Sequence, residues 1–285
     1  MNSSITVTAK PRSVLVFFLL AFGISWTVWI PAALGSHGLI PAQFSFAPSP
    51  LVGAFGPFIA ALITTAIFDG RAGFGSLFRR FLVWRVNILW YLFVLLWPAI
   101  FSLLKTGIAV LMGAAVPDFS QPPFVTLYPI PADVKDAVPF IAFLPFVFLQ
   151  QMLLGSSMGE EPGWRGYALP RLQDGRSSLV ASLILGFLWG IWHLPNWLAK
   201  GNPVQQNFLG WEILGLMATT VLFTWVFNNT KGSLLLALLF HTSIAVTGLF
   251  LASAEIPSWL GIVLNLAAVA LVVALFGAKR LSRKE

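Results

Sequence analysis

No cysteine occurs among the 285 residues, and charge is scarce, with 9% charged residues against 58% hydrophobic ones. The missing cysteine excludes disulfides, thiolate metal sites and a cysteine nucleophile. Short alternating apolar and polar segments are also missing, which argues against a transmembrane β-barrel. No tandem repeat and no separate polar domain interrupt the chain. What remains is long apolar runs, with a mean hydropathy of +0.85. Several reach the roughly 20 residues that cross a bilayer as helix. The fold class expected is an all-α, polytopic membrane protein of about eight transmembrane helices. It forms one integral-membrane domain over 1–285, with a core at about 137–252. The surrounding partner is the lipid bilayer, and the expected location is a multi-pass protein in the cell membrane of a bacterium or archaeon.

The runs fall at roughly 13–35, 50–68, 87–114, 137–157, 178–198, 211–228, 232–252 and 258–277. The first is too long for a typical signal-peptide core and reads as a retained span. The third contains Pro98 and predicts a tilt or kink. The proline-rich stretch 117–136 reads as an irregular surface cap. The formal charge of +7 is read as basic loops at one membrane face, not as a nucleic-acid surface. Thirteen of the 17 lysines and arginines collect on the face that carries both termini, and two on the other. By the loop-charge rule both termini are cytoplasmic. Arg79, Arg80 and the tail "KRLSRKE" then need no role beyond solvated flanks. Lys105 reads as a side chain snorkelling from a bent helix end.

Five residues resist that account: Glu160, Glu161 and Arg165 in "MGEEPGWRGYALPRL", His193 in "FLWGIWHLP", and His241 in "LLLALLFHTSIAVTG". An ionisable group within a span costs a few kcal/mol unless it is paired or faces a polar interior. Hydropathy alone leaves Glu160 at an interface and His193 deep in the next span. The two meet if helix continues through 160–172 and turns near "QDGRSS", so that Glu160 lies opposite about residue 190. Glu161 and Arg165, four apart, have the spacing of a helical ion pair, and Glu160 points about 100° away. A simple helix-tying ion pair explains Glu161 and Arg165. It leaves the second glutamate and both histidines unexplained.

These residues resemble the motifs of the CPBP family, intramembrane proteases related to the type II CAAX prenyl protease and to bacteriocin-processing and immunity proteins. Two glutamates followed after three residues by arginine match Glu160, Glu161 and Arg165. The second motif, an aromatic four residues before histidine, is usually phenylalanine and is here Trp189 before His193. The third, histidine with asparagine or aspartate four residues on, keeps His241 but has Ala245 in the last position. Asn196 and Thr242 are alternatives for the missing amide. The resemblance implies an endopeptidase in which Glu160 and His193 activate water and His241 stabilises the oxyanion, with Glu161 and Arg165 in support. Chemistry agrees, because a carboxylate can take a proton from water and an imidazole can orient it. Glu160, His193 and His241 also make a zinc set by residue type. A metalloprotease and a metal-free, glutamate-activated water both stay open. The implied partner is a peptide or protein substrate, prenylated or otherwise membrane-bound. Two rival readings use the same residues: a small-solute binding protein or transporter, and an inactive scaffold of the family.

Overall fold

The computed structural model describes residues 11–41, 50–128, 130–202, 208–255 and 257–283. Lys10 and Lys284, both counted in the loop-charge comparison, lie outside them. Among the described residues there is no strand. The helices are α1 (Pro11–Ser36), α2 (Pro50–Ala54), α3 (Gly56–Phe68), α4 (Gly70–Arg79), α5 (Ile88–Leu111), α6 (Pro123–Leu127), α7 (Ala132–Ala137) and α8 (Leu144–Leu154). They continue with α9 (Ser156–Glu161), α10 (Leu169–Gln173), α11 (Ser178–Trp192), α12 (Leu194–Leu198), α13 (Leu209–Asn229), α14 (Leu234–Phe250) and α15 (Ser258–Phe276). Among the described residues, six helical stretches are long and apolar enough to cross a membrane, and the apolar helices α11 and α14 are shorter, at 15 and 17 residues. All eight expected runs are therefore helical. The fold is that of an all-α, polytopic membrane protein.

Most boundaries follow local chemistry. Asn87 caps α5 by accepting from the Leu89 amide, Ser177 caps α11 from Val180, and Ser233 caps α14 from Leu236. Pro195 follows the end of α11, and the helix restarts as α12. Helix α5 runs from Ile88 to Leu111 across Pro98. The expected irregular cap over 117–136 instead contains α6 and most of α7. It is pinned where buried Phe124 stacks on Phe250, with ring centroids 4.5 Å apart.

The decisive element is the hairpin from α8 to α11. Pro162 and Pro170 each lack an amide proton for the helical ladder. Between them the chain widens into a π-helical segment, Pro162–Ala168, and then closes into α10. Apolar helix therefore continues to Gln173, as the hairpin argument required. Gly175, with φ +75°, sits in the turn that returns the chain into α11. Gly159 and Gly163 bring this segment against the backbone of α2 and α3. A Cβ on either would lie 2.5 Å from a carbonyl oxygen, that of Ala54 or Pro57. Gly186 does the same for α11 on α13, where a Cβ would meet the Met217 Cα at 2.6 Å. Small residues of this kind set close helix approach when lipid gives no hydrophobic drive.

Three expectations about the basic flanks change. Arg71 and Arg79 lie in an amphipathic helix, α4, not in an extended loop. Arg80 is half-buried, with its guanidinium 5.4 Å from the Phe227 ring and Nη1 donating to the Gly232 carbonyl. Arg171 is buried, paired with Asp69 at 2.6 Å and laid on the Tyr167 ring at 3.6 Å. The tail is also more than a solvated flank. The carbonyls of Ala278 and Lys279 accept the first amides of α11, Asn228 and Asn229 hold those of Arg280 and Leu281, and Leu281 is fully buried.

Candidate active site

Residues 159 to 169, which carry two glutamates and an arginine, are buried without exception. At its centre, Glu161 Oε1 accepts from Arg165 Nη1 at 2.9 Å and from His241 Nδ1 at 2.7 Å. Glu161 and Arg165 are both fully buried. The flat guanidinium lies 4.5 Å from the Trp189 ring and 4.0 Å from that of Phe223. Such stacking is worth most where water is excluded. The expected Glu161–Arg165 pair is therefore present. The hydrogen bond of His241 runs to Glu161, while its ring lies 6.0 Å, centroid to centroid, from Trp189, the partner of Glu160. His241 Nε2 lies 3.2 Å from Ser156 Oγ.

Glu160 points elsewhere, as its 100° offset requires. Its Oε2 accepts from the Trp189 indole Nε1 at 2.6 Å. Trp189 stands opposite Glu160 because the turn at Gly175 pairs 160 with about 190. One turn on, α11 ends. The His193 amide bonds to the Gly190 carbonyl, which leaves the Trp189 carbonyl to the His193 ring, with Nδ1 at 2.8 Å. A carbonyl can only accept, so Nδ1 carries the proton and Nε2 of the neutral ring carries the lone pair. Trp29, Trp192 and Trp197 enclose that imidazole, with centroids at 6.2, 4.7 and 5.2 Å.

Trp189 is thus common to the whole cluster. It donates to Glu160, accepts from His193, and lies 5.7 and 6.0 Å, centroid to centroid, from the His193 and His241 rings. Sequence reasoning placed Trp189 on the face of His193 but missed its bond to the carboxylate. The signal was available, since tryptophan has an N–H where the usual phenylalanine has none. Ser156 was missed altogether, because a serine at a helix start looks like a cap. Thr242, one alternative to Ala245, donates to Ser157 Oγ at 2.9 Å.

A cavity of about 450 Å³ is lined by His241 and Trp189. Glu160 and His193 adjoin it through Trp189. As a zinc set the three expected ligands fit poorly. Among the described residues no three histidine, aspartate or glutamate side chains are grouped to hold a metal. Both His241 ring nitrogens are engaged, and His193 Nδ1 is held by a backbone carbonyl. The arrangement can still do acid–base chemistry: it has a dry carboxylate, an imidazole of fixed tautomer, and a second imidazole anchored on an ion pair.

The class these features define is a helical membrane protein with a glutamate and histidine site buried in its bundle. Comparison with known proteins narrows it. Residues 141–247 match the family described as type II CAAX prenyl endopeptidase Rce1-like. That bears out, over this segment, the resemblance to the CPBP family carried by the motifs. CAAX prenyl protease 2 of Methanococcus maripaludis is 33% identical over 106 residues. That alignment takes in 35% of this chain and 38% of the relative, so the likeness spans well under half of either. The family match, 141–247, includes every candidate site residue from Glu160 to His241.

Proposed function

We propose that this protein is an intramembrane endopeptidase that hydrolyses a peptide bond by water activated at Glu160 and His193. The observation that carries the reading is Trp189, which holds Glu160 by its indole N–H and His193 by its carbonyl on adjacent turns. In the proposed reaction, Glu160 takes one proton from water as the water oxygen bonds to the scissile carbonyl carbon. His193, through Nε2, orients that water. His241 supports the oxyanion, and its Nδ1 bond to Glu161 fixes its ring. Collapse of the tetrahedral species breaks the carbon–nitrogen bond, and the proton on Glu160 passes to the leaving amine. No residue at position 245 assists, since alanine stands there. The absent amide makes an inactive scaffold the outcome to exclude first.

The proposed substrate is a peptide or protein that reaches the site from the membrane. An apolar crevice of about 630 Å³ between α5, α8 and α14 shares Thr247 with the site cavity, which suits delivery through the lipid phase. The family description and the relative's name both contain "CAAX prenyl", which supports a prenylated target as the finer reading. Both termini are proposed to be cytoplasmic. The test is cleavage by the purified protein, in detergent and in liposomes, of a prenylated peptide, its unprenylated form and a leader-type peptide. Cleavage that is lost with Glu160→Gln supports the reading. Equal cleavage by Glu160→Gln overturns it, and no cleavage of any peptide by the wild type favours the scaffold or solute-binding readings.

A further inference from the structure

Ser156 opens α9, but the cap position belongs to Gly155, so the serine hydroxyl is not used as a cap. Gly155 is extended, with φ −92° and ψ −171°, and breaks the chain between α8 and α9. A Cβ there would run into the Gln151 carbonyl oxygen, so the break needs glycine. It sets the start of α9 against α14 in two adjacent contacts. Thr242 Oγ1 donates to Ser157 Oγ at 2.9 Å, between buried residues, and Ser156 Oγ lies 3.2 Å from His241 Nε2. The first contact is enough to tie the two helices. The second puts a half-buried hydroxyl on the His241 nitrogen that faces away from Glu161.

Proton accounting gives that hydroxyl a task. Glu161, paired with Arg165, is a carboxylate and only accepts, so His241 Nδ1 carries the proton and Nε2 of the neutral ring carries a lone pair. Neutral His241 therefore accepts from Ser156 and has no proton at Nε2 to give a developing oxyanion. The serine O–H rotates about its Cβ–Oγ bond, so it can turn from Nε2 to a negative oxygen. Two groups 3.2 Å apart can both reach one oxygen at ordinary hydrogen-bond length. The His193 and His241 rings lie 5.7 and 6.0 Å from that of Trp189. Water at the first imidazole and a carbonyl oxygen at the second are thus held across one indole. A donor in such a water-poor site is worth far more than in bulk solvent. His241 then supports the oxyanion through the serine, and directly whenever its ring holds a second proton.

We infer that Ser156 is a further catalytic residue, whose hydroxyl donates to the oxyanion formed at the scissile carbonyl beside His241. The inference rests on the peptide-cleaving reading above, but its test does not need turnover. N-acetyl tetraleucine amide and its phosphinic analogue, with a tetrahedral anionic phosphinate at the central bond, are titrated against purified full-length protein in detergent. Tryptophan fluorescence is the readout, and EDTA keeps stray metal from holding the phosphinate. The wild type is expected to bind the phosphinate at least about 100-fold more tightly than the parent peptide, as for a transition-state mimic. Ser156→Ala should cut that preference about 10- to 100-fold, as for a hydrogen bond to a charged group, and leave parent binding unchanged. Ser156→Thr keeps a hydroxyl and should keep most of the preference. Position 245 lies one turn from His241 on the same face, so Ala245→Asn added to Ser156→Ala should restore part of it. If Ser156→Ala does not fold, Ser156→Cys reads the same loss through a weaker donor. A preference that survives in Ser156→Ala, equal binding of both ligands to the wild type, or binding of neither overturns the inference. So does covalent labelling of Ser156 by a fluorophosphonate, which would make the hydroxyl a nucleophile. If Ser156→Ala keeps the preference while Glu160→Gln abolishes cleavage, only this inference fails. If the preference depends on Ser156 and no peptide is cleaved, the oxyanion site stands and the proteolytic reading fails.

Discussion

The segment 159–169 and the outer helix α15 invert the pattern of a soluble protein. The first carries two glutamates and an arginine and is buried throughout. The second is almost wholly apolar, yet Trp259, Val263, Leu266, Leu271 and Leu275 are 45–63% exposed. In water both arrangements would be unstable. In lipid both are required, since acyl chains accept leucine freely and leave a charge without a partner. The interior therefore owes its specificity to polar contacts and close glycine packing, and the periphery needs only to be apolar.

The inner region should be sensitive to single atoms. Glu161→Gln is expected to have the largest effect, because one carboxylate oxygen holds both Arg165 and His241. Breaking a fully buried pair costs about 3–5 kcal/mol, since the remaining charge is stranded. Thermal unfolding in detergent should drop sharply, and any cleavage should be lost with it. A Glu161→Gln protein as stable as wild type would remove the ion pair from its structural role. Glu160→Gln comes next and should behave differently. Its partner Trp189 can donate to an amide oxygen as well as to a carboxylate, so the fold should hold. Turnover should fall about 10²- to 10⁴-fold with the loss of a general base. If Glu160→Gln unfolds and Glu161→Gln is folded and inactive, the two roles are exchanged.

How much of this was legible depends on which physical signal each element carries. The eight apolar runs were visible because length and hydropathy alone decide what can lie in a bilayer. The hairpin was legible because Glu160 and His193 could not both be buried unless the chain turned near Gly175. The Glu161–Arg165 pair followed from spacing. By contrast, nothing in one sequence shows that the Glu161 oxygen is shared with His241 across 80 residues. Helix α4 was hidden by its two inner glycines and its basic residues, which look like a loop. The buried state of Arg171 was hidden for a related reason, since its partner Asp69 lies 102 residues away.

Trp189→Phe sharpens the comparison at the boundary of the inner region. Phenylalanine keeps the ring that covers Arg165 and the backbone carbonyl that holds His193. It deletes only the indole N–H bonded to Glu160. Phenylalanine is also the residue usual at this motif position, so the fold is expected to persist. Cleavage should fall about tenfold, which corresponds to about 1.4 kcal/mol and the low end for a hydrogen bond to a charged group. The measurement is kcat at saturating peptide together with thermal unfolding. Unchanged kcat would mean that Glu160 is positioned by the packing of the π-helical segment and not by Trp189.

The smallest effect is expected in the outer region. Leu271 is 60% exposed on α15, a helix that packs mainly on α13. Leu271→Ala removes methyl groups that face acyl chains, and lipid or detergent fills the space at little cost because the tails are as apolar as leucine. Unlike a core truncation it leaves no cavity bounded by protein. The change in stability should stay within about 0.5 kcal/mol, as for substitutions away from packed features. Unfolding in detergent and in liposomes should give the same answer. A loss of 2 kcal/mol or more in roughly the range of core leucine truncations would mean that this face is covered by protein in the membrane. In that event α15 belongs with the inner region, and its exposed row is an interface between chains.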